Sequence, residues 1–375
     1  MKQAQLLVII GLTLFCVSCS TDSSLSDAEP MTQGENSQAG LITAAEWNDL
    51  ENWDFWKELL SNGTYNNMPN YWQFYNDHRI SLTVTDDDQA VTDVSVELFE
   101  QTELIWESRT DNDGKAELWI DLYTERDRVN PSDYSIKLNG QSIEVDLKLF
   151  SEGINEIEYN SNQERPNIVE LSFIVDATAS MRDEIKFLKD DLQNVIERVE
   201  SNDSSIEIAT SSVFYRDKTD SYLVKASEFT NDLDETIKFI GKQRASGGGD
   251  YPEAVHSGLK TAIEELQWSE NSRTRIAFLI LDAPPHYEPE VIEQLHHSIA
   301  VAARKGIKII PISASGIDKK TEFLLRFMSV STNGTYVFIT DDSGIGNDHL
   351  EASVGEHEIE YLNNLMVRLI KEYSE

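Results

Sequence analysis

Cysteine is almost absent from this 375-residue chain: there are two, Cys16 and Cys19, both near the N-terminus. The rest of the chain therefore has no thiol for a disulfide, a thiolate nucleophile or a cysteine zinc cluster. Basic side chains are scarce too. Thirty-one Lys and Arg face 67 Asp and Glu, a formal net charge of −36 at pH 7. A surface that negative repels phosphate backbones and anionic head groups, which argues against nucleic acid as a partner. No apolar run approaches the roughly 20 residues a spanning helix needs, which excludes a multi-span membrane protein. Two hydrolase signatures are also missing, the G-x-S-x-G elbow and H-E-x-x-H. What is present is an ordinary composition, 40% hydrophobic and 26% charged, which excludes collagen and disorder throughout. At about 150 residues per domain, the length suggests two to three units.

The N-terminus reads as a targeting segment. Lys2 precedes a short apolar run over 6–15 that is too short for a stable anchor. Ser18 before Cys19 resembles a bacterial lipobox, with Cys16 where Leu is usual. The resemblance implies a lipoprotein signal peptide over 1–18 and lipidation of Cys19. Ser20 rather than Asp after the cysteine resembles outer-membrane sorting. The implied location is the bacterial cell envelope, as an outer-membrane lipoprotein that is periplasmic or surface-exposed and touches membrane through its lipid alone. The alternative is an ordinary secretory signal with a free Cys19. Residues 19–40 are rich in Ser, Asp, Glu, Gln and Gly and read as a flexible tether.

Residues 41–78 hold four of the seven tryptophans. Thr43-Ala44-Ala45-Glu46 has the capping-box pattern, and Trp47, Leu50, Trp53, Trp56, Leu59 and Leu60 follow at helical spacing. The expectation is a helical segment docked through its aromatic stripe, in preference to an exposed aromatic platform. From residue 79 the period changes to two. Alternating runs around Ile80–Val84, Val91–Leu98, Ala116–Ile120, Tyr134–Leu138 and Ile143–Leu149, separated by turns, predict a small antiparallel β-sandwich over 79–160. With its T-D-x-x-G turn and closing Tyr strand, this stretch resembles the carboxypeptidase-regulatory-like, transthyretin-like modules. Asp86, Asp87, Asp88, Asp111 and Asp113 read as turn residues first and calcium ligands second.

Past residue 165 strands alternate with helices, which predicts an α/β, doubly wound sheet. Three oxygen-rich segments follow strand or loop ends. They are Asp176-Ala177-Thr178-Ala179-Ser180, Gly247-Gly248-Gly249-Asp250-Tyr251-Pro252-Glu253 and Asp282-Ala283-Pro284-Pro285-His286. In such sheets ligands bind beyond the carboxyl ends of the strands. Mg²⁺ takes about six oxygens in octahedral geometry, and hydroxyls beside carboxylates leave its charge incompletely cancelled.

The first segment resembles the D-x-S-x-S metal-ion-dependent adhesion site (MIDAS) of von Willebrand factor type A domains, with Thr in place of the first Ser. The second and third resemble the D-S-P-E and D-A-x-x-H loops of integrin beta-subunit I-like domains. The resemblance covers 165–375 and implies a Rossmann-like VWA fold. It implies metal ligation by Asp176, Thr178, Ser180, Glu253, Asp250 and Asp282, with Glu253 preferred over Asp250 as direct ligand. Met181-Arg182-Asp183-Glu184 resembles a neighbouring cation site, which makes Asp183 and Glu184 a possible second set. The expected cofactor is a divalent metal, most simply Mg²⁺, with Mn²⁺ or Ca²⁺ as alternatives. The expected activity is binding, through the metal, of a protein partner's Asp or Glu carboxylate. No catalytic residue is expected. A metal-dependent hydrolase using Ser180 or His286, and a structural module whose metal only stabilises the fold, are the competing readings. Read singly, Ser180 with Asp183 is a helix-start pair, Asp282 a turn residue and Gly247–Gly249 a flexible loop.

Overall fold

The computed structural model describes residues 41–375 apart from 62, 162–163, 203–205 and 345–348. The expected signal peptide, Cys19 and the tether lie outside the described residues. Among the described residues, no helix is long and apolar enough to cross a membrane.

An eight-stranded sheet organises residues from 168 onward. Ile168–Asp176 is a near-continuous apolar run buried on both faces, as a central parallel strand requires. It pairs in parallel with Glu207–Tyr215 on one side and Thr274–Leu281 on the other. The sheet continues through Ile307–Ser313 and Tyr336–Ile339, also in parallel. Val224–Thr230 closes the other edge, antiparallel to Glu207–Tyr215. In chain order these six strands run 3-2-1-4-5-6, the doubly wound arrangement. The order reverses between Ile168–Asp176 and Thr274–Leu281. A crevice therefore opens at that point, beyond Asp176 and Leu281. Helices Arg182–Asn202, Leu233–Lys242 and Leu362–Glu372 bury their apolar faces on one side of the sheet. Val255–Lys260, Pro289–Lys305 and Lys319–Ser331 cover the other.

The sandwich forms over 79–158 as two four-stranded sheets. One holds Gln89–Ala90, Arg79–Asp86, Lys115–Trp119 and Asn155–Glu158; the other holds Glu103–Arg109, Ser95–Glu100, Tyr134–Leu138 and Gln141–Ile143. It is not purely antiparallel, because Asn155–Glu158 runs parallel to Arg79–Asp86. Two of its strands, Glu103–Arg109 and Asn155–Glu158, have too few buried apolar side chains to stand out in the sequence. The strand expected over 143–149 is confined to Gln141–Ile143. Asp87 and Asp88 have φ of 48° and 65° and join Asp86 to Gln89 as a two-residue hairpin, which bears out the turn reading.

The Trp-rich segment departs most from expectation. Thr43–Trp47 is a strand, not the start of a helix. It pairs antiparallel with Tyr336–Ile339 and with Glu360–Tyr361, extending the large sheet. Ala44 and Ala45 are both fully buried, one in each of the two cores flanking the sheet. A free edge strand supplies backbone partners that outweigh the local capping preference of T-A-A-E. The helix begins at Trp53 and runs to Ser61, followed by Met68–Trp72. Its aromatics are docked, as expected. Trp56 stacks on Phe323 at 5.7 Å, and the Trp72 indole N–H donates to the Lys320 carbonyl at 2.9 Å. Asp49 forms a buried, two-pronged pair with Arg326, at 2.6 and 2.8 Å. Asp93 of the sandwich pairs in the same way with Arg275 of the large sheet, at 2.7 and 3.1 Å. Segment, sandwich and α/β domain thus share one interior.

A candidate metal centre at the switch point

Asp176 is the last residue of the central strand and has no exposed surface. Its Oδ1 accepts from the Thr178 N–H at 2.8 Å and from the Thr178 hydroxyl at 2.7 Å. The Thr178 Oγ1 in turn lies 3.1 Å from Ser180 Oγ. The D-x-T-x-S spacing therefore curls the loop so that one carboxylate and two hydroxyls converge. Ser180 is exposed, so the cluster opens to solvent on that side. Ser180 also lies near enough to Asp282, the residue after the neighbouring strand, to help hold that carboxyl down. The second loop reaches the same place. Glu253 is buried, and its backbone N–H donates to the Pro284 carbonyl at 2.9 Å, stitching the 247–253 loop to the 282–286 loop.

Asp176 Oδ2, Glu253 Oε2 and Asp282 Oδ1 are buried without a hydrogen-bond partner. Buried polar atoms are normally satisfied, so three orphan carboxylate oxygens around one crevice call for an explanation. The electrostatics agree. Burial, reinforced by Asp282, pushes the Asp176 carboxyl up to about 7. Burial first, and then the charges of Asp176, Asp217, Asp220 and Asp282, push Glu253 up to about 9. Burial also raises Asp282 to about 6, with Glu184 adding to the shift. Carboxylates crowded in this way are a poor arrangement for a protein alone and a suitable one around a cation. Hard oxygen donors of this kind fit a Mg²⁺- or Ca²⁺-type ion.

The other expected residues divide. Asp250 is exposed at the tip of its loop, whereas Glu253 points inward, because Pro252 and the Glu253–Pro285 bridge turn only the latter toward the crevice. Glu184 is buried and accepts from the Ser315 hydroxyl, which ties it to the loop after Ile307–Ser313. The Asp183 side chain lies outside the described residues. His286 Nε2 lies 2.5 Å from Asp217 Oδ1. The adjacent pair His296 and His297 diverges, with His296 stacked on Tyr123 and His297 beside Glu264.

Sequence reasoning missed Tyr215, Asp217 and Asp220. Tyr215 ends the strand paired with Asp176, and its buried hydroxyl has no partner. Asp220 Oδ2 accepts from Gly248 N at 2.9 Å and Asp217 N at 3.1 Å, holding the glycine loop down. Burial raises Asp217, but the His286 and Lys218 bonds and charges outweigh it and leave the group below its ordinary value. The available signal was positional: Arg216-Asp217-Lys218-Thr219-Asp220 follows the carboxyl end of a core strand. Gly248 shows why that loop is glycine. Its φ is +71°, and a Cβ there would lie 2.8 Å from Glu253 Oε1 and 3.3 Å from Thr178 Cβ.

Residues 170–345 match the family model of the von Willebrand factor A domain. That segment is a von Willebrand factor A domain. The VWA match covers the core strands and all three loops of the crevice. Two curated relatives align with about a third of the chain. An ariadne-like RING finger protein of Acanthamoeba polyphaga mimivirus is 36% identical over 121 residues, 32% of this chain and 12% of that protein. An alpha-protein kinase of Dictyostelium discoideum is 34% identical over 119 residues, 32% of this chain and 19% of that protein. The chain thus spans less than a fifth of either relative. Among solved structures, BatB from Bacteroides thetaiotaomicron has 14% identity and a TM-score of 0.36, covering 55% of this chain and 98% of that one. The pilus adhesin SpaC from Lactobacillus rhamnosus GG has 11% identity and a TM-score of 0.39, covering 56% and 31%.

Proposed function

We propose that this VWA protein is a tethered binding protein that captures a carboxylate of a protein partner through a divalent cation held at the switch-point crevice. VWA domains commonly mediate protein–protein interaction or adhesion, and the family assignment supports that coarser statement. The observation that carries the finer one is the trio of orphan oxygens on Asp176, Glu253 and Asp282, buried beside the paired hydroxyls of Thr178 and Ser180. These five residues would hold the ion, which would supply a Lewis-acidic position for an incoming Asp or Glu. Mg²⁺ is the first choice, with Mn²⁺ and Ca²⁺ as alternatives. Ser180, the exposed member, marks the side from which a partner approaches. Tyr251 borders the crevice, its hydroxyl donating to the Gly316 carbonyl at 2.8 Å across two loops. The lipobox-like Ser18-Cys19 supports tethering to the bacterial outer membrane, and the −36 charge disfavours nucleic acid.

Isothermal calorimetry of the purified chain with Mg²⁺, Mn²⁺ and Ca²⁺ tests the site. Saturable uptake that Asp176→Ala removes is the expected result, and no heat at millimolar metal would overturn the proposal. Partner capture from envelope extract should require metal and be reversed by EDTA. Turnover of ester, peptide or phosphoester substrates, lost in Ser180→Ala, would instead make the protein a hydrolase.

A further inference from the structure

A cleft of about 610 Å³ runs between helices Arg182–Asn202 and Leu233–Lys242. Its charge is opposite to that of the molecule. Arg182, Lys186, Lys189 and Arg244 line it, and among the described lining residues Asp190 is the one acid, in a chain where acids outnumber bases 67 to 31. Ile185, Ile237 and Ile240 add an apolar lining between the cations.

The cations are held in place. Lys189 Nζ donates to the Gln243 carbonyl. The Arg244 guanidinium donates to the Gly241 and Gln243 carbonyls, both at 2.7 Å. The backbone of Arg244 is fixed too, its carbonyl accepting from Arg216 at 2.6 Å. Burial and the neighbouring Arg244 charge push the Lys189 ammonium below its ordinary value, so the two cations sit at mutual cost. An anion between them relieves that cost.

The cleft also adjoins the crevice. Arg182 comes two residues after Ser180, and Arg244 leads into the loop whose Ser246 N–H bonds the Ala177 carbonyl at 3.0 Å. That loop's Gly247 carbonyl accepts from Ala179 N at 3.1 Å. We infer that this cleft is a second subsite for the same partner and takes an acidic polypeptide segment with interspersed apolar side chains. The assignment rests on the metal-dependent reading only for the partner's identity. Charge complementarity and the apolar lining select the segment. Acids flanking the coordinated carboxylate meet the rim cations, and their apolar neighbours meet the isoleucines. An acidic protein thereby recognises an acidic partner at two points.

The test uses the full chain and two labelled twelve-residue peptides, read by fluorescence anisotropy in Mg²⁺ at low salt. One alternates Asp and Glu with Leu around a central Asp. The control keeps the central Asp and the leucines but carries Asn and Gln in place of the flanking acids. The acid-rich peptide is expected to bind about tenfold tighter or better. Lys186→Gln with Lys189→Gln should erase that preference, as should Arg182→Gln with Lys186→Gln, a pair of exposed side chains, with circular dichroism confirming that each variant is folded. Equal binding of the two peptides, absence of binding by the acid-rich one, or a preference that survives both double variants would overturn the subsite. So would dodecanoate displacing the acid-rich peptide through the same cations, because the cleft would then be a site for anionic lipid. EDTA separates the two proposals. It should weaken both peptides equally and leave their ratio intact; loss of the ratio alone counts against the subsite, and indifference of both peptides counts against the metal.

Discussion

At the scale of the residue, Asp176 is costly to the metal-free protein. Its Oδ1 is satisfied by Thr178, while Oδ2 faces other carboxylates without a donor. Asp176→Asn keeps the acceptor and places an N–H where that repulsion was. The variant should melt roughly 3–8 °C higher than the wild type in EDTA and lack the rise in Tm expected of the wild type in Mg²⁺. Differential scanning calorimetry checks both. The pH dependence has a definite sign. The folded-state values of Asp176, Asp282 and Glu253 are raised, to about 7, 6 and 9. Below their unfolded values all three carry protons in both states and cost nothing. As pH rises the unfolded chain loses protons first, so these groups remove stability progressively until the folded values are passed. The stability of wild type relative to Asp176→Asn, followed by denaturant titration in EDTA, should therefore fall between about pH 4 and 7. Gly248→Ala places a methyl against Glu253 and Thr178 in a backbone region that L-residues avoid. It should weaken Mg²⁺ uptake at least tenfold while costing roughly 1–2 kcal/mol in stability, as read by calorimetry and urea unfolding.

At the scale of the element, the N-terminal strand Thr43–Trp47 determines how the parts are joined. It completes the sheet edge at Tyr336–Ile339, and the residues that follow carry Asp49 to Arg326 in helix Lys319–Ser331. That pair is fully buried, and Arg326 also donates to the Ser353 carbonyl at 2.6 Å. Removing one partner strands the other. Asp49→Ala should cost roughly 3–5 kcal/mol, whereas Asp49→Ala with Arg326→Met should recover part of that loss in chemical denaturation. The helical reading of this stretch was half legible. Trp53 and Trp56 lie at helical spacing on a real helix. Thr43 to Trp47 carried a local capping signal that a vacant sheet edge overrode, and nothing in five residues could reveal that edge.

At the scale of the whole molecule, the sandwich, the Trp-rich segment and one face of the large sheet share a core, and the candidate metal crevice lies at the end of the strands. Chelation should therefore empty the site without unfolding the chain. Circular dichroism in EDTA should match that in Mg²⁺ at 25 °C, with the difference confined to Tm. The parallel strands and the loops that start at Asp176 and Asp282 were legible because a fully buried strand must be apolar along its length, and its carboxyl end is where polar residues resume. Glu253 was legible as a member of its motif. Its inward turn, and the outward turn of Asp250, depend on a backbone bridge to Pro285.

Composition and periodicity alone determined the fold class, the sandwich and the three loops, because hydrophobic pattern is a local property that burial enforces residue by residue. Tertiary structure alone decided which oxygens are left without partners, that Tyr215, Asp217 and Asp220 stand around the same crevice, that a basic cleft lies beside it, and that residue 43 begins a strand. Each of these depends on groups far apart in the chain meeting where water is excluded, and no local pattern encodes such a meeting.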